Sequence, residues 1–306
     1  MNVVEVQVSN RRALEPLGTK TKWWVQGYTH LFKENYQQRR EDCSEVIVAR
    51  LCTLLGLPHA EYQLGYVRLK IEDDTWDERN GVLTKSMYHR GVERLIDGNQ
   101  LLLRKDSDYP SEDRYKVSEY TLHAVGKVVE DLDLPPADFC KDLPEKIQTA
   151  TGVFVGYLMI DVLVANQDRH HENWGSIESG DQRMLTPTFD HGAALAPGET
   201  EASMRKRLDT TDKGYTIDRF ARRARSPFWD KPGGNQLSLF DAWREFSKYA
   251  PDAAIIWQNR LRKLHLERID QVLSDLPKGR FSKTAKAFCL ELIRVNRERL
   301  IADTTI

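Results

Sequence analysis

An almost continuously apolar stretch in the middle of the chain constrains its fold more than any other feature. The segment "LPEKIQTATGVFVGYLMIDVLVAN" presents hydrophobic side chains on most sides of a predicted helix, and a single carboxylate, Asp161, lies within its apolar part. A helix that is apolar all round is buried by its neighbours. The apolar part is too short for a membrane span, which needs about 20 residues. We therefore expect this helix at the centre of a globular core.

Composition describes an ordinary folded protein and argues against several functional classes. The chain has 306 residues, of which 40% are hydrophobic and 30% are charged. Because 45 basic residues nearly balance 46 acidic ones, the net charge gives no general attraction for nucleic acid or an anionic membrane. The start of the sequence lacks a signal-peptide pattern. The scattered cysteines have no metal-binding or redox spacing and predict reduced thiols in a cytoplasmic protein: Cys43, Cys52, Cys140 and Cys289.

Strand and helix patterns divide the chain into two parts. Residues 1–90 have strand-like patterns around one helix, whose apolar stripe lies in "EVIVARLCTLL" and which ends at Gly56. Residues 91–306 are mainly helical, and "ERLIDGNQLLLRK" and "KVSEYTLHAVGKVVEDL" both show helical spacing. A strand, turn and strand are expected in "NWGSIESGDQRMLTPTFD". The sequence predicts an α+β chain with a small β-rich lobe and a larger helical lobe.

The polar segment "VANQDRHHENWG" follows the apolar helix and carries Asp168 and Asn173 five residues apart. In phosphoryl transfer an aspartate orients and deprotonates the attacking hydroxyl, and an asparagine on the same loop binds the metal ion that bridges the ATP phosphates. We expect one extended loop to present both groups. A second metal ligand is then needed, and "TFDHG" after the hairpin supplies Asp190. Mg²⁺ prefers oxygen ligands, so Asn173 and Asp190 suit it.

The β-rich part supplies positive charge for the ATP phosphates. Lys33 ends the strand-like segment "YTHLFK", from which its ammonium group can reach them, although strand-end lysines are often solvated. Glu45 is either its ion-pair partner or a carboxylate that caps the helix. Upstream, Gly18, Thr19 and Lys20 form a short loop in which backbone N–H groups can approach phosphate. The loop alone is a weak signal, whereas the order of loop, lysine, glutamate, DxxxxN and FDxG is specific.

Other interpretations of the polar residues stay open. Asp168 can instead be a loop carboxylate that pairs with Arg169. His170 and His171 suggest zinc, but neighbouring histidines diverge and no HExxH pattern or cysteine partner accompanies them, so we expect His170 to orient the loop. The segment 205–225 has eight basic residues and three acidic ones. It is either a solvated surface or a docking patch for an anionic substrate.

The segments "DVLVANQDRHHENWG" and "TPTFDHGAAL" resemble the catalytic and metal-binding segments of HipA-like serine/threonine kinases. The segments "EDCSEVIVARLCTLLGLPHAEYQLG", "GVLTKSMY", "LIDGNQLL" and "ARRARSPFW" resemble further parts of the short, single-kinase-domain members. DRHxxN also occurs in phosphoinositide-type kinases, and the N-terminal segments favour the HipA-like family. The resemblance covers about residues 17–230. It implies a bilobal protein-kinase-like fold, with an N-lobe at 1–90 and a C-lobe at 91–306, that binds ATP and Mg²⁺.

The resemblance implies a role for each matching position. Asp168 is the catalytic base, Asn173 and Asp190 bind both Mg²⁺ and nucleotide, Lys33 contacts the ATP phosphates, and His170 lies near the nucleotide. The remaining positions belong to the hinge that contacts adenine and to the phosphate loop: Lys85, Ser86 and Met87, and Gly18, Thr19 and Lys20.

The implied activity is that of an ATP- and Mg²⁺-dependent serine/threonine protein kinase. Family resemblance extends this to the toxin of a bacterial toxin–antitoxin pair, acting on a translation component such as an aminoacyl-tRNA synthetase. The expected partners are a protein substrate and a small antitoxin, without membrane or direct nucleic-acid binding. Relatives autophosphorylate a serine near the phosphate loop, where this chain has Thr19 and Thr21. Two alternatives are a kinase with a lipid or small-molecule acceptor and a nucleotide-binding pseudokinase regulator.

Overall fold

The first part of the chain forms one six-stranded sheet, as its strand patterns predict. The computed structural model describes residues 1–7, 13–14, 22–25, 27–35, 39–72 and 75–304. The strands are β1 (Val4–Glu5), β2 (Ala13–Leu14), β3 (Lys22–Val25), β4 (His30–Glu34), β5 (Tyr62–Glu72) and β6 (Thr75–Lys85). Their spatial order is β1-β5-β6-β4-β3-β2, with β1 and β5 parallel and the other pairs antiparallel. This order places β4, which carries Lys33, beside the end of β6.

One long helix, α1 (Glu41–Leu55), connects β4 to β5 and packs against β5 and β6. Its apolar stripe is buried, and Ile47 and Val48 have no exposed surface. The helix ends at Gly56, whose φ of 74° is a left-handed conformation that glycine adopts without strain. A Cβ atom there would also lie only 2.2 Å from the carbonyl oxygen of Asp142. Glycine is therefore required where the chain leaves α1.

The rest of the chain is mostly helical. Its helices are α2 (Gly98–Lys105), α3 (Leu122–Val129), α4 (Ala150–Leu163), α5 (Glu201–Asp209), α6 (Ile217–Arg223), α7 (Leu239–Ser247), α8 (Pro251–Lys263), α9 (Leu266–Ser274) and α10 (Lys283–Ala302), with a 3₁₀ helix at Ala137–Phe139. Its strands are β7 (Arg94–Asp97), β8 (Gly175–Ser179) and β9 (Gln182–Leu185) in one sheet, and β10 (Arg225–Trp229) and β11 (Gln236–Ser238) in another. The α+β class is confirmed, and the boundary at residue 90 stays a prediction.

The apolar segment forms α4, the central helix of the core. All of its residues except Thr151 are buried, and α3, α7, α8 and α10 pack around it. Gly156 lets α8 approach closely, because a Cβ atom there would lie 2.7 Å from the ring of Trp257. Among the described residues, no helix combines the length and the apolar character that a membrane crossing needs. The burial of α4 fixes the position of the loop that follows it.

Two predicted helices are shorter than expected. Arg94–Asp97 forms β7 instead of helix, because it pairs with β8 and α2 begins only at Gly98. Periodicity cannot distinguish such a short apolar run in a strand from one in a helix. In "KVSEYTLHAVGKVVEDL" only Leu122–Val129 is α-helical, and the hydroxyl of Thr121 caps it by accepting the N–H of Ala124. The strand β7 thereby joins the hairpin that precedes the predicted metal ligand.

The segment before α10 binds the N-terminal sheet through Arg280. Its Nη2 donates to the carbonyl of Gly65 at 2.8 Å, and its Nη1 donates to the carbonyl of Gly81 and the carboxylate of Asp42 at 3.3 Å each. Burial raises the pKa of the Asp42 carboxyl, while hydrogen bonds and the charge of Arg280 oppose that rise. Because Asp42 lies one turn before Glu45 in α1, Arg280 helps to fix the helix that carries Glu45.

Replacing Arg280 by methionine should lower the free energy of unfolding by about 3 kcal/mol, because it leaves the buried carboxylate of Asp42 without its cation. Urea denaturation followed by circular dichroism measures this change. The matched control is Arg68→Met, whose ion pair with Glu78 is about half exposed on both sides. It should cost less than about 1 kcal/mol. Equal losses in the two variants would contradict the role given to Arg280.

Candidate active site

The loop that follows α4 carries the predicted catalytic residue, Asp168. The chain leaves the helix through Ala165, whose φ of 52° is left-handed. Asn166 then ties the loop back to the helix, because its side-chain amide donates to Oδ1 of Asp161 at 2.7 Å and its backbone N–H to the Asp161 carbonyl at 2.8 Å. The Asp168 side chain is 35% exposed. The anchored start of the loop thus presents a solvent-accessible carboxylate.

Arg169 supports this loop from inside the protein. Its buried guanidinium binds both carboxylate oxygens of Asp161, at 2.8 and 2.9 Å. It also donates to the carbonyl of Asn173 and to the hydroxyl of Thr188, each at 2.8 Å. The guanidinium is therefore engaged with Asp161, which the sequence did not suggest as a partner, and Asp168 faces the accessible side.

Asn173 closes the loop onto Asp168. Its side-chain amide nitrogen donates to the backbone carbonyl of Asp168 at 2.6 Å, and its backbone N–H donates to the carbonyl of His170 at 2.9 Å. The loop is thus a compact turn, and the expectation of an extended loop was wrong because these bonds fold it back. Since the amide nitrogen is engaged, the amide oxygen of Asn173 is the atom suited to bind a metal ion.

Asp190 follows the hairpin of β8 and β9 in a left-handed conformation, with a φ of 57°. Such a conformation costs free energy in a residue other than glycine, and neighbouring contacts must maintain it. The backbone N–H of Asp190 donates to the hydroxyl of Tyr62 at 3.1 Å. The next N–H, that of His191, donates to Oε2 of Glu45 at 2.8 Å. Both contacts come from the N-terminal part of the chain, so they tie the hairpin to it.

Lys33 lies between two carboxylates. Its Nζ is 3.1 Å from Oε1 of Glu45 and 3.2 Å from Oδ1 of Asp190. Burial alone would lower the pKa of Lys33, but the charges of Asp190 and Glu45 outweigh it and raise the pKa well above its usual value. Burial raises the pKa of Glu45, and Lys33 opposes that rise. Of the two roles considered for Glu45, the ion pair with Lys33 is confirmed.

A cleft of about 240 Å³ contains most of the predicted nucleotide-binding residues. Lys33, Asn173 and Asp190 line it. The predicted hinge residues and several apolar side chains line it as well: Lys85, Ser86 and Met87, with Leu31, Leu95 and Phe189. Apolar walls combined with a few charged groups are typical of a site for a nucleotide. The structure thus brings the predicted hinge residues and the predicted metal ligands to one cleft.

Asp168 lines a second cavity, of about 210 Å³, which adjoins the first. The two cavities share four lining residues, namely Lys22, Lys33, Arg114 and Asp190. The cavity of the predicted base therefore meets the predicted nucleotide cleft at Lys33 and Asp190. This is the arrangement that transfer of a group from one cavity to the other requires.

His170 does not line either cavity. Its side chain is 3% exposed, and its Nε2 lies 3.1 and 3.2 Å from two nitrogen atoms of Arg114. Burial and the charge of Arg114 lower the pKa of His170 to about 3. Arg114, which the sequence did not suggest, lines both cavities beside His170, and the implied place of His170 near the nucleotide stays a prediction. No motif spacing points to it, because Arg114 belongs to a different segment of the chain.

The predicted phosphate loop, Gly18, Thr19 and Lys20, lies outside the described residues. Lys22, at the start of β3, lines both cavities. Lys22 pairs with Lys33 across β3 and β4. The role of the loop itself stays a prediction.

The groups at Asn173 and Asp190 fit a magnesium ion. They offer an amide oxygen and a carboxylate in one cleft, and Mg²⁺ is commonly held by one or two such groups together with phosphate oxygens and water. In the described part of the chain, this site included, no cluster of three histidine, cysteine, aspartate or glutamate residues is placed to hold a metal ion. A metal ion at Asp190 would also share its carboxylate with Lys33.

Comparison with solved structures identifies the fold. The chain is similar to the Helicobacter pylori proinflammatory kinase CtkA, with a TM-score of 0.70 and 18% identity over 98% of this chain and 99% of CtkA. It is also similar to HipA, solved as part of a Shewanella oneidensis toxin–antitoxin complex with HipB and operator DNA, with a TM-score of 0.52 and 12% identity. This chain has a HipA-like kinase fold. The predicted fold and the resemblance to this family are thereby confirmed.

The two similarities differ in extent. The alignment with HipA covers 94% of this chain but only 62% of HipA, whereas the alignment with CtkA covers nearly all of both chains. No protein-family model matches the sequence, and no curated protein matches it either. At this level of identity the HipA-like fold is established by structure, and the activity is inferred from the site.

Acidification below about pH 6.5 should destabilise the protein. Burial lowers the pKa of His170 to about 3 and that of His171 to about 4, whereas an unfolded histidine titrates near 6.5. The unfolded chain therefore binds more protons than the folded chain between these values. The contribution of these histidines to the free energy of unfolding is fully present above about pH 6.5. It falls by about 1.4 kcal/mol per pH unit for each of them as the pH drops toward 4.

Urea denaturation between about pH 4.5 and 7.5 measures this slope. His171→Gln should reduce the slope by the contribution of one histidine, because the variant removes one proton-binding site of the unfolded chain. The matched control is His123→Gln, since His123 is exposed. An unchanged slope in His171→Gln would show that His171 is protonated in the folded protein.

Proposed function

We propose that this chain is an ATP- and Mg²⁺-dependent serine/threonine protein kinase of the HipA-like type. The observation that carries the proposal is the position of Lys33 between Glu45 and Asp190, where the nucleotide cleft meets the cavity of Asp168. Phosphoryl transfer needs little covalent chemistry from the protein, because positioning and charge neutralisation supply most of the rate enhancement. The cleft provides both.

Each residue has a role that its contacts support. Asp168 accepts the proton of the attacking hydroxyl, since its carboxylate is accessible in the second cavity. The amide oxygen of Asn173 and the carboxylate of Asp190 hold Mg²⁺, which neutralises charge on the phosphate oxygens when it is bound. Lys33 stays charged and donates to the phosphates, while Glu45 keeps its ammonium group in place.

The remaining nucleotide contacts follow from the shape of the cleft. Lys85, Ser86 and Met87 line it together with apolar side chains, which supports their proposed role as the hinge beside adenine. Gly18, Thr19 and Lys20 form the proposed phosphate loop. Lys22, which follows that segment closely, lines the cleft beside Lys33 and supports this assignment.

We further propose a protein as acceptor and a cytoplasmic location. The similarity to HipA, which was solved with HipB and operator DNA, supports a small antitoxin partner for this chain as well. A translation component such as an aminoacyl-tRNA synthetase is the proposed substrate, and direct nucleic-acid binding is not part of the proposal. Lipid or small-molecule acceptors, and a regulator that binds ATP without transfer, are outcomes that the following experiment distinguishes.

The purified protein, incubated with γ-labelled ATP, Mg²⁺ and a bacterial lysate, should transfer label to a protein band. Asp168→Ala should reduce this transfer by about 1,000-fold, because it removes the base that orients the hydroxyl. The matched control is Asp138→Ala, since the side chain of Asp138 is 86% exposed and lies outside both cavities. Label only in lipid or small-molecule fractions, or nucleotide binding without transfer, would overturn the proposal.

Asp190→Asn should abolish transfer while leaving the fold intact, because it removes one ligand charge at nearly constant volume. Transfer rates at increasing Mg²⁺ concentration and the melting temperature measure the two effects. Turnover equal to that of the wild-type protein at saturating Mg²⁺ would show that Asp190 is not a metal ligand.

A further inference from the structure

Arg114 is a cation of the cleft that belongs to none of the catalytic motifs. It lies in the connection between α2 and α3, and it lines both the nucleotide cleft and the cavity of Asp168. Lys33 is shared by the two cavities in the same way. The side chain of Arg114 is 28% exposed, so that a ligand in the cleft can reach it. Lys33 and Arg114 therefore both border the place where the two cavities meet.

The connection that carries Arg114 is fixed to three successive residues of the loop that carries Asp168. The contacts are from the Tyr120 hydroxyl to the Arg169 carbonyl at 2.9 Å, from Arg114 Nη2 to His170 Nε2 at 3.1 Å, and between the Tyr109 hydroxyl and His171 Nδ1 at 2.7 Å. Arg114 thus keeps its position relative to Asp168 before any ligand binds. A preorganised cation of this kind stabilises charge in a transition state without reorganisation.

The contacts of the guanidinium leave donors for a ligand. Nε and Nη2 lie within hydrogen-bond distance of His170, and Nε lies 3.1 Å from Oε2 of Glu172. Within the described ranges, Nη1 of Arg114 has no hydrogen-bond partner, and a guanidinium carries five N–H groups.

We propose that Arg114 binds the γ-phosphate of ATP and remains on the phosphoryl group during transfer, exchanging the carboxylate of Glu172 for phosphate oxygens. The inference rests on the proposed function. The pair of Arg114 and Glu172 is 28% and 29% exposed, so it contributes little on its own. Arginine binds phosphate through paired, charge-assisted hydrogen bonds, which favours the exchange.

The transfer step gives Arg114 a defined task. The bond between the γ-phosphorus and the oxygen that bridges to the β-phosphate breaks, and ADP leaves with that electron pair. The acceptor oxygen forms the new bond to phosphorus, and its proton passes to Asp168. Arg114 donates to the equatorial oxygens, where charge is spread in the transition state. Because Arg114 borders the junction of the two cavities, as Lys33 does, its effect is expected on the γ-phosphate.

Binding of two nucleotides tests this assignment without knowledge of the acceptor. The affinities of the β,γ-imido analogue of ATP and of ADP, each with Mg²⁺, are measured by calorimetry. Arg114→Ala should weaken binding of the analogue by about 10-fold or more, and that of ADP by less than about 2-fold. Arg114→Lys should lie between the wild-type protein and Arg114→Ala, because it keeps the charge but loses the paired hydrogen bonds.

A purely structural role for Arg114 predicts a different result, namely equal losses for both nucleotides. That outcome, or no loss for either, would overturn the inference while leaving the proposed function intact. Failure of the wild-type protein to bind either nucleotide would refute both. Arg68→Ala is the matched control, since Arg68 is about half exposed on β5 and lies outside both cavities. Melting temperatures show whether the variants are folded. If Arg114→Ala does not fold, Arg114→Lys still tests the inference, because lysine retains most of the side-chain volume.

Discussion

The buried ion pair between Arg169 and Asp161 is the interaction on which the candidate site depends. A buried charge is costly unless every group around it is satisfied, and here the guanidinium binds the carboxylate with two bonds and also reaches Asn173 and Thr188. These contacts join the central helix α4, the loop that carries Asp168 and the segment between β9 and Asp190. The positions of Asp168, Asn173 and Asp190, which we propose act on ATP and its metal ion, therefore depend on one buried side chain.

The second constraint couples this platform to the N-terminal sheet. Glu45 binds Lys33 through one carboxylate oxygen and the backbone of His191 through the other. The same carboxylate thus fixes Lys33 and the residue after Asp190. Movement of α1 would therefore disturb Lys33 and the segment of Asp190 together. Arg280, which lies in the C-terminal part of the chain just before α10, also binds Asp42 in α1 and so helps to keep this helix in place.

The sequence allowed prediction of the parts of the site that depend on local spacing. Asp168, Asn173 and Asp190 lie on two short segments, and the buried helix α4 follows from one run of apolar residues. Arg114 was missed, because its approach to His170 depends on packing between distant segments. The partner of Arg169 was missed for a related reason, since an isolated carboxylate within an apolar helix carries no periodic signal. The short strand β7 has helical spacing, and only its pairing with β8 decides its conformation.

The central claim is that Lys33 and Asp190 act on one bound nucleotide, Lys33 directly and Asp190 through Mg²⁺. Calorimetric titration of ATP with and without Mg²⁺, in the wild-type protein and in Lys33→Met and Asp190→Asn, tests it most directly. The account predicts that Mg²⁺ strengthens ATP binding in the wild-type protein. It predicts that Mg²⁺ strengthens ATP binding much less in Asp190→Asn. Lys33→Met should bind ATP more weakly, but Mg²⁺ should still strengthen that binding. ATP affinity that does not depend on Mg²⁺ in the wild-type protein would contradict the account.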